Sequence, residues 1–329
     1  MSYSVYKIFA DLQRKESIDN DCFSAVSLPF SVKHKIGISS EGYPMFFIEC
    51  NTKEHTFDIN LEFISVLFNR NCRLKEDDNT FSENTYTIIS LKTENIDFQQ
   101  YFLEVVCIIL EQLPESPTHK QLKIEIQKLI DLFSRFTRPP KKTIQGLWAE
   151  WFIIDQAKYP EYLIQSWHAS PEDKFDFNDG QDKIEVKSTS QARRVHSFAF
   201  EQLNPNRNSN LLIASVFVVQ TGKGKNIFDL KDSICKKVTN LQLQFRLNEL
   251  LSQTLGSDFD KVFDVYFDYQ QAIDTLSFYD FKDIPTICAD NIPNELLNVR
   301  FDCDLSRVTT IKEKYFDTSN SPLFRSVQL

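Results

Sequence analysis

Residues 175–187 read Phe175-Asp176-Phe177-Asn178-Asp179-Gly180-Gln181-Asp182-Lys183-Ile184-Glu185-Val186-Lys187. This stretch predicts two short strands joined by a tight turn. Side chains alternate faces along a strand. Lys174, Asp176 and Asn178 therefore fall on one face of the first strand, and Phe175 and Phe177 on the other. In the second, Lys183, Glu185 and Lys187 share a face opposite Ile184 and Val186. A two-residue turn at Gly180-Gln181 suits a type II′ hairpin, whose first position favours Gly. That turn pairs Asp176 with Glu185, Phe177 with Ile184 and Phe175 with Val186. A one-residue slip would send every side chain to the wrong face.

Two carboxylates directly opposite one another destabilise a bare sheet. A divalent cation between them reverses the sign of that interaction. Mg²⁺ takes one or two carboxylates plus water and phosphate oxygens, and such an ion can assist phosphodiester hydrolysis. Lys187, two residues beyond Glu185, reaches the same pocket and offers a charge to the transition state. The competing reading is a solvated hairpin face with scattered charges, because acid-x-Lys tripeptides recur by chance. Glu172-Asp173-Lys174, Asp229-Leu230-Lys231 and Asp280-Phe281-Lys282 have the same form. The last sits in the most apolar context but lacks an acidic hairpin partner before it.

Upstream, Thr143 is the expected N-cap of a helix that follows the Pro139-Pro140 break. Leu147, Trp148, Trp151, Phe152 and Ile154 give that helix a wide apolar stripe, so it is expected to be largely buried. Glu150 lies on the helix one turn from Gly146 and Ile154. A carboxylate buried there needs a partner or a cation.

A helix with Glu150, a strand with Asp176, then a strand with Glu185-Val186-Lys187: this order resembles the PD-(D/E)XK nuclease superfamily, over roughly residues 140 to 250. Phe175 stands where that motif usually has Pro. The segment Arg193-Arg194-Val195-His196-Ser197-Phe198-Ala199-Phe200-Glu201-Gln202-Leu203, with 211–220 and Ser277-Phe278-Tyr279-Asp280, is similar to a bacterial family of PD-(D/E)XK proteins encoded beside DNA methyltransferases and phage-defence genes. The resemblance implies a restriction-endonuclease-like α/β fold, a mixed sheet flanked by helices. It implies Mg²⁺ (or Mn²⁺) held by Asp176, Glu185 and the Val186 carbonyl, with Glu150 as a further ligand or support. Lys187 would be the catalytic lysine, and Glu150, Asp176, Glu185 and Lys187 the catalytic set. Arg193, Arg194, His196 and Gln202 are candidates to contact nucleic acid. The implied activity is DNA endonuclease in restriction or phage defence, with DNA, a methyltransferase or an ATPase as partners and a homodimer as a convenient way to cut two strands. The alternative is a non-catalytic DNA-docking or protein-interaction subunit that keeps the fold. An RNA-directed nuclease is a third reading, with no RNA-binding signature to raise it.

Composition narrows the field. The chain has 329 residues, 42% hydrophobic, with 29 Phe and only 7 Gly. There is no GxxxxGK[ST] and no GxGxxG, which disfavours a nucleotide-driven motor or a dinucleotide enzyme. Gly222-Lys223-Gly224-Lys225 reads as a turn. The seven cysteines form no CxxC pair, which disfavours structural zinc and suits a reducing, cytoplasmic setting. No apolar run has membrane length. The net charge of −9, from 37 basic and 46 acidic residues, counts against nonspecific nucleic-acid affinity. Arg135–Lys142, Arg193-Arg194 and Lys223/Lys225 are the positive spots.

Two domains are expected. Residues 1–138 form an N-terminal α+β region: a helix from Tyr3 to Glu16, a small antiparallel sheet, and helices near 97–114 and 118–136. Residues 139–329 form the nuclease-like domain with C-terminal additions. In it, Tyr162–Trp167 is expected as a first strand and 211–219 as a central strand buried on both faces. A long helix capped by Asp229 is expected to run to about Leu251. Further strands are expected near 262–268 and 276–281, with extended chain over 299–311.

Overall fold

The computed structural model describes residues 2–14, 22–49, 56–76, 80–140, 143–168, 173–205, 209–287, 292–293 and 296–327. Glu16, Lys141, Lys142 and Glu172, which figured in the expectations above, lie outside them. The chain divides into two compact units. The first is Met1–Pro140 with Asn248–Asp260, and the second is Lys141–Leu247 with Lys261–Leu329.

The first unit opens with helix α1 (Ser2–Arg14) and continues through strands β1 (Phe23–Leu28), β2 (Ser31–Ile38), β3 (Pro44–Glu49), β4 (Ile59–Asn60), β5 (Ile64–Lys75) and β6 (Phe81–Leu91). Their order is β1-β2-β3-β6-β5-β4. A parallel pairing of β1 with β5 closes five of them into a ring. Closure leaves β4, paired only with β5, as the edge strand. Helices α2 (Ile96–Leu110) and α3 (His119–Phe133) follow. Asn95 caps the first, and Thr118 with Gln121 forms a capping box on the second. Phe98, Tyr101, Phe133, Phe136 and Phe259 cluster, with Phe136 and Phe259 centroids 4.5 Å apart.

The second unit carries the 175–187 stretch. Helix α4 (Ile144–Gln156) is capped as expected: Thr143 accepts from the Gly146 N–H at 3.2 Å. The next segment differs from the expected strand. Residues Pro160–Ser166 are helix α5, and only Trp167 makes an isolated bridge, to Phe177. The physical reason lies at the start of the segment: Pro160 sits at the first helical position, where its fixed φ favours a helix and its missing N–H costs nothing. Leu163 and Ile164 then lie four and three residues before Trp167, and all three are buried.

Strands β7 (Phe177–Asn178) and β8 (Asp182–Thr189) form the hairpin, followed by β9 (Val195–Ala199) and β10 (Asn210–Phe217). Then come β11 (Gln220–Thr221), α6 (Ile227–Lys237), α7 (Leu241–Leu255), whose residues from Asn248 on belong to the first unit, β12 (Tyr266–Phe267), α8 (Tyr269–Thr275), β13 (Ser277–Asp280), β14 (Arg300–Asp304), α9 (Glu313–Thr318) and α10 (Pro322–Ser326). The four-stranded sheet has the order β13-β10-β8-β7. Strand β10 lies parallel to β8 and antiparallel to β13, so the sheet is mixed. Leu211 to Val216 are buried throughout, as a strand covered on both faces requires. The long helix expected from Asp229 is two helices. Asn226 caps α6, with Asp229 closing the capping box, and the chain leaves the helix at Val238 before α7 begins. No helix among the described residues is long and apolar enough to cross a membrane. Helices and mixed sheets together make an α+β architecture consistent with a nuclease-like fold.

Candidate active site

The hairpin register is the expected one: Phe177 pairs with Ile184 and Asn178 with Lys183. Gly180 takes φ +94°, the left-handed region that Gly enters without a Cβ penalty. The Asp179 carboxylate tightens the turn by accepting the Gln181 and Asp182 N–H groups at 3.0 and 2.8 Å.

Before Phe177 the chain departs from the expected strand. Residues 174–176 bend, and Phe175 does not share a face with Phe177. Phe175 packs with Leu211, Ile213 and Tyr279, and Lys183 Nζ lies 5.8 Å from its ring. That is the Glu185 face, since Ile213 pairs with Glu185. Phe177 stacks instead on Trp167. The ladder therefore ends at Phe177, and the Asp176 side chain takes over its hydrogen bonding. Asp176 Oδ2 accepts the Val186 N–H at 2.8 Å, and the Asp176 carbonyl accepts the His168 N–H at 3.0 Å.

Glu185 and Lys187 lie on one face of β8. Lys187 Nζ is 2.9 Å from Glu185 Oε1 and donates to Gln202 Oε1 at 3.0 Å. Gln202 Nε2 donates in turn to Glu185 Oε1. The Gln202 amide is oriented from behind, because its Oε1 also accepts the Ala199 N–H at 3.0 Å. The Lys187 ammonium stands over the Phe198 ring at 5.1 Å.

Glu150 projects from α4 and is 4% exposed. Its Oε2 accepts from Trp167 Nε1 at 2.8 Å and lies 3.2 Å from His168 Nε2. Nε2 of His168 is also 3.9 Å from Asp176 Oδ1. One ligand atom from each of Glu150, His168 and Asp176 falls within 4.8 Å of the others. Asp176 and Glu185 are 8% and 4% exposed. Burial pushes the Glu185 carboxyl up to about 8; the Asp176 charge adds to this, Lys187 opposes it and Glu150 adds again. Glu185 Oε2 is buried with no hydrogen-bond partner among the described residues.

Three buried carboxylates in one place are costly. Lys187 is paired with Glu185, and a divalent cation would offset further negative charge there. Oxygen donors suit Mg²⁺ and Mn²⁺, and the unpartnered Glu185 Oε2 is an oxygen with coordination to spare. The donor set fits such an ion.

The remaining sequence candidates lie elsewhere or serve neighbours. Arg193 pairs with Asp304. Arg194 donates to the Ser215 carbonyl and Oγ at 3.0 and 2.8 Å, and to the Thr275 carbonyl. His196 Nε2 is 2.8 Å from Ser215 Oγ, and Ser215 pairs with Lys187 across the sheet. Burial, with the Lys187 and Arg194 charges, lowers His196 to about 4, so it is neutral at pH 7. Lys225 faces Asp155 at 3.5 Å. Asp280 caps the turn after β13 by accepting the Lys282 N–H.

His168 and Trp167 were not legible as site residues. His168 has φ +43°, and Arg246 holds the turn by donating to the Trp167 and His168 carbonyls at 2.8 and 3.2 Å. The one signal in the sequence is a His directly after an aromatic that closes an apolar run.

The family described as "Putative PD-(D/E)XK family member, (DUF4420)" matches residues 5–306, nearly the whole chain. Neither the curated proteins nor the solved structures gave a match.

Proposed function

The chain belongs to this PD-(D/E)XK family, and on that premise we propose that it is a metal-dependent endonuclease hydrolysing phosphodiester bonds in DNA. The observation that carries the reading is the convergence of buried Glu150, Asp176 and Glu185 beside the Lys187 ammonium.

Asp176, Glu185 and the Val186 carbonyl would hold the cation, with Glu150 completing the set. A Mg²⁺ or Mn²⁺ ion held there would supply polarisation of the scissile phosphate and a lowered pKa for the attacking water. The protein's own groups do the rest. Asp176 is fixed by the Val186 N–H, so one of its oxygens is oriented before any ligand arrives. Glu185 and Gln202 aim Lys187, which places a full positive charge where the phosphate gains negative charge. The neutral His196 behind Lys187 adds no competing charge. Arg193, next to the active strand, contacts the DNA backbone once Asp304 releases it. Arg194 and His196 brace the same segment through Ser215.

The biological setting we propose is restriction or phage defence, beside a methyltransferase or ATPase, as the resemblance to methyltransferase-linked proteins implies. An acidic chain with net charge −9 has little phosphate affinity of its own, which supports targeting by such a partner.

Plasmid incubated with purified protein and Mn²⁺ or Mg²⁺ is expected to be nicked or linearised. Lys187→Ala is expected to lose about 100-fold or more in rate, and Asp176→Ala to be inactive. Cleavage that persists equally in both variants contradicts the proposal.

A further inference from the structure

The Glu150–His168–Asp176 group contains a nitrogen donor that the acidic motif does not supply. His168 Nε2 is 3.2 Å from Glu150 Oε2 and 3.9 Å from Asp176 Oδ1. All three ligand atoms lie within 4.8 Å of one another, and the two separations from His168 Nε2, 3.2 and 3.9 Å, fall within the span of two bonds to one cation. Two separate devices hold the imidazole there. The His168 N–H donates to the Asp176 carbonyl, so the histidine is tied to the very residue whose carboxylate it faces. Arg246 fixes the carbonyls of Trp167 and His168, one before and one after the His168 Cα. The Trp167 indole meanwhile binds the Glu150 oxygen that faces His168.

An independent observation points to a ligand in the same place. Glu185 Oε2 is buried without a hydrogen-bond partner among the described residues, and Glu185 directly precedes Val186, whose N–H holds Asp176 Oδ2 at 2.8 Å. A buried carboxylate oxygen without a partner, beside the anchor of Asp176, is a donor with coordination to spare.

We propose that His168 is a metal ligand, and that with Glu150 and Asp176 it makes this a mixed nitrogen–oxygen site that selects Mn²⁺ over Mg²⁺. The inference rests on the metal-dependent reading above and adds to it the identity of the ion. Mg²⁺ is hard, demands near-octahedral oxygen coordination and sheds water reluctantly. Imidazole nitrogen suits first-row transition ions. A site that offers one imidazole among carboxylates therefore discriminates between the two ions where a carboxylate pair would not.

The test is Mn²⁺ binding to the full chain by EPR, with Mg²⁺ as competitor. Pulsed EPR of the Mn²⁺ complex is expected to show ¹⁴N coupling from a directly bound imidazole. His168→Ala is expected to abolish that coupling and to weaken Mn²⁺ binding by about tenfold or more, with a smaller loss for Mg²⁺. His168→Gln keeps a polar side chain at the position but has no imidazole, so it separates ligation from folding: it too is expected to lose the coupling. His196→Ala is expected to keep it. A wild-type Mn²⁺ complex that is lost in Asp176→Asn yet shows no ¹⁴N coupling overturns the role of His168 and leaves the nuclease reading standing. Mn²⁺ binding that survives Asp176→Asn unchanged overturns the site itself.

Discussion

At the scale of single residues, the energetics of this protein centre on Glu185. Its carboxyl is pushed up to about 8, first by burial and then by Asp176, with Lys187 in opposition. A folded value above the unfolded one means that the metal-free folded state holds a proton that the unfolded state gives up. Glu185's contribution to stability is then full below about 4.5 and is lost as pH rises toward 8. Within that window each pH unit costs up to about 1.4 kcal/mol. Glu185→Gln cannot ionise, so in EDTA its stability relative to wild type is expected to rise between pH 6 and pH 9, as read by urea melts at the two pH values. Saturating Mn²⁺ is expected to erase the advantage. A constant difference at both pH values would show that Glu185 does not carry this charge burden. The same residue scale marks where reading the sequence stopped. Glu185, Lys187 and Glu150 came from alternation and helical spacing, which are periodic and therefore visible; Asp176 was set opposite Glu185 by the same alternation, but the ladder ends at Phe177 and Asp176 is held instead by the Val186 N–H. His168 reaches the site through one left-handed residue, and no period announces that. Arg194 and His196 looked like substrate contacts because a charged side chain in a sequence carries no record of its partner; here both meet Ser215.

At the scale of elements, the hairpin register was legible because two independent signals agreed: Gly at the first turn position, and apolar residues two apart. The turn itself is testable. Gly180 sits at φ +94° with open space around it, so Gly180→Ala adds no clash and isolates the backbone term. The substitution is expected to lower stability by about 1–2 kcal/mol in thermal or urea melts. It should also reduce metal affinity, because the same turn sets Asp176 against β8. An unchanged midpoint would mean that the turn does not depend on its left-handed residue. Where elements were misread, local chemistry outweighed apolar content. Leu163-Ile164 suggested a strand, but Pro160 at the first helical position started a helix. The run from Asp229 suggested one helix, but the chain leaves it at Val238. Phe175 was assigned a face by alternation, and alternation ends where the backbone bends to let the Asp176 carboxylate take the Val186 N–H.

At the scale of the whole molecule, an acidic chain has many places to attract a cation, and 46 Asp and Glu residues mean that loose binding at the surface is unremarkable. Most acidic side chains keep their hydration, and their attraction for an ion is weak and screened. The buried Asp155, by contrast, already has its cations: Lys237 lies 3.0 Å away, and Ser233 donates at 2.6 Å. Burial alone would raise the Asp155 carboxyl, but the hydrogen bonds from Ser233, Tyr269 and Lys237 lower it instead. In the Glu150, Asp176 and Glu185 group, by contrast, a buried carboxylate oxygen, Glu185 Oε2, has no hydrogen-bond partner among the described residues. A family match from residue 5 to residue 306 places the N-terminal unit within the family as well, although the proposed site lies in the second unit. The decisive measurement is an anomalous-scattering map from a crystal of the protein soaked in Mn²⁺. The expected result is a strong peak within coordination distance of Asp176 and Glu185, beside Glu150 and His168 and next to the Lys187 ammonium. Peaks confined to exposed carboxylates, with no density between Asp176 and Glu185, would contradict it.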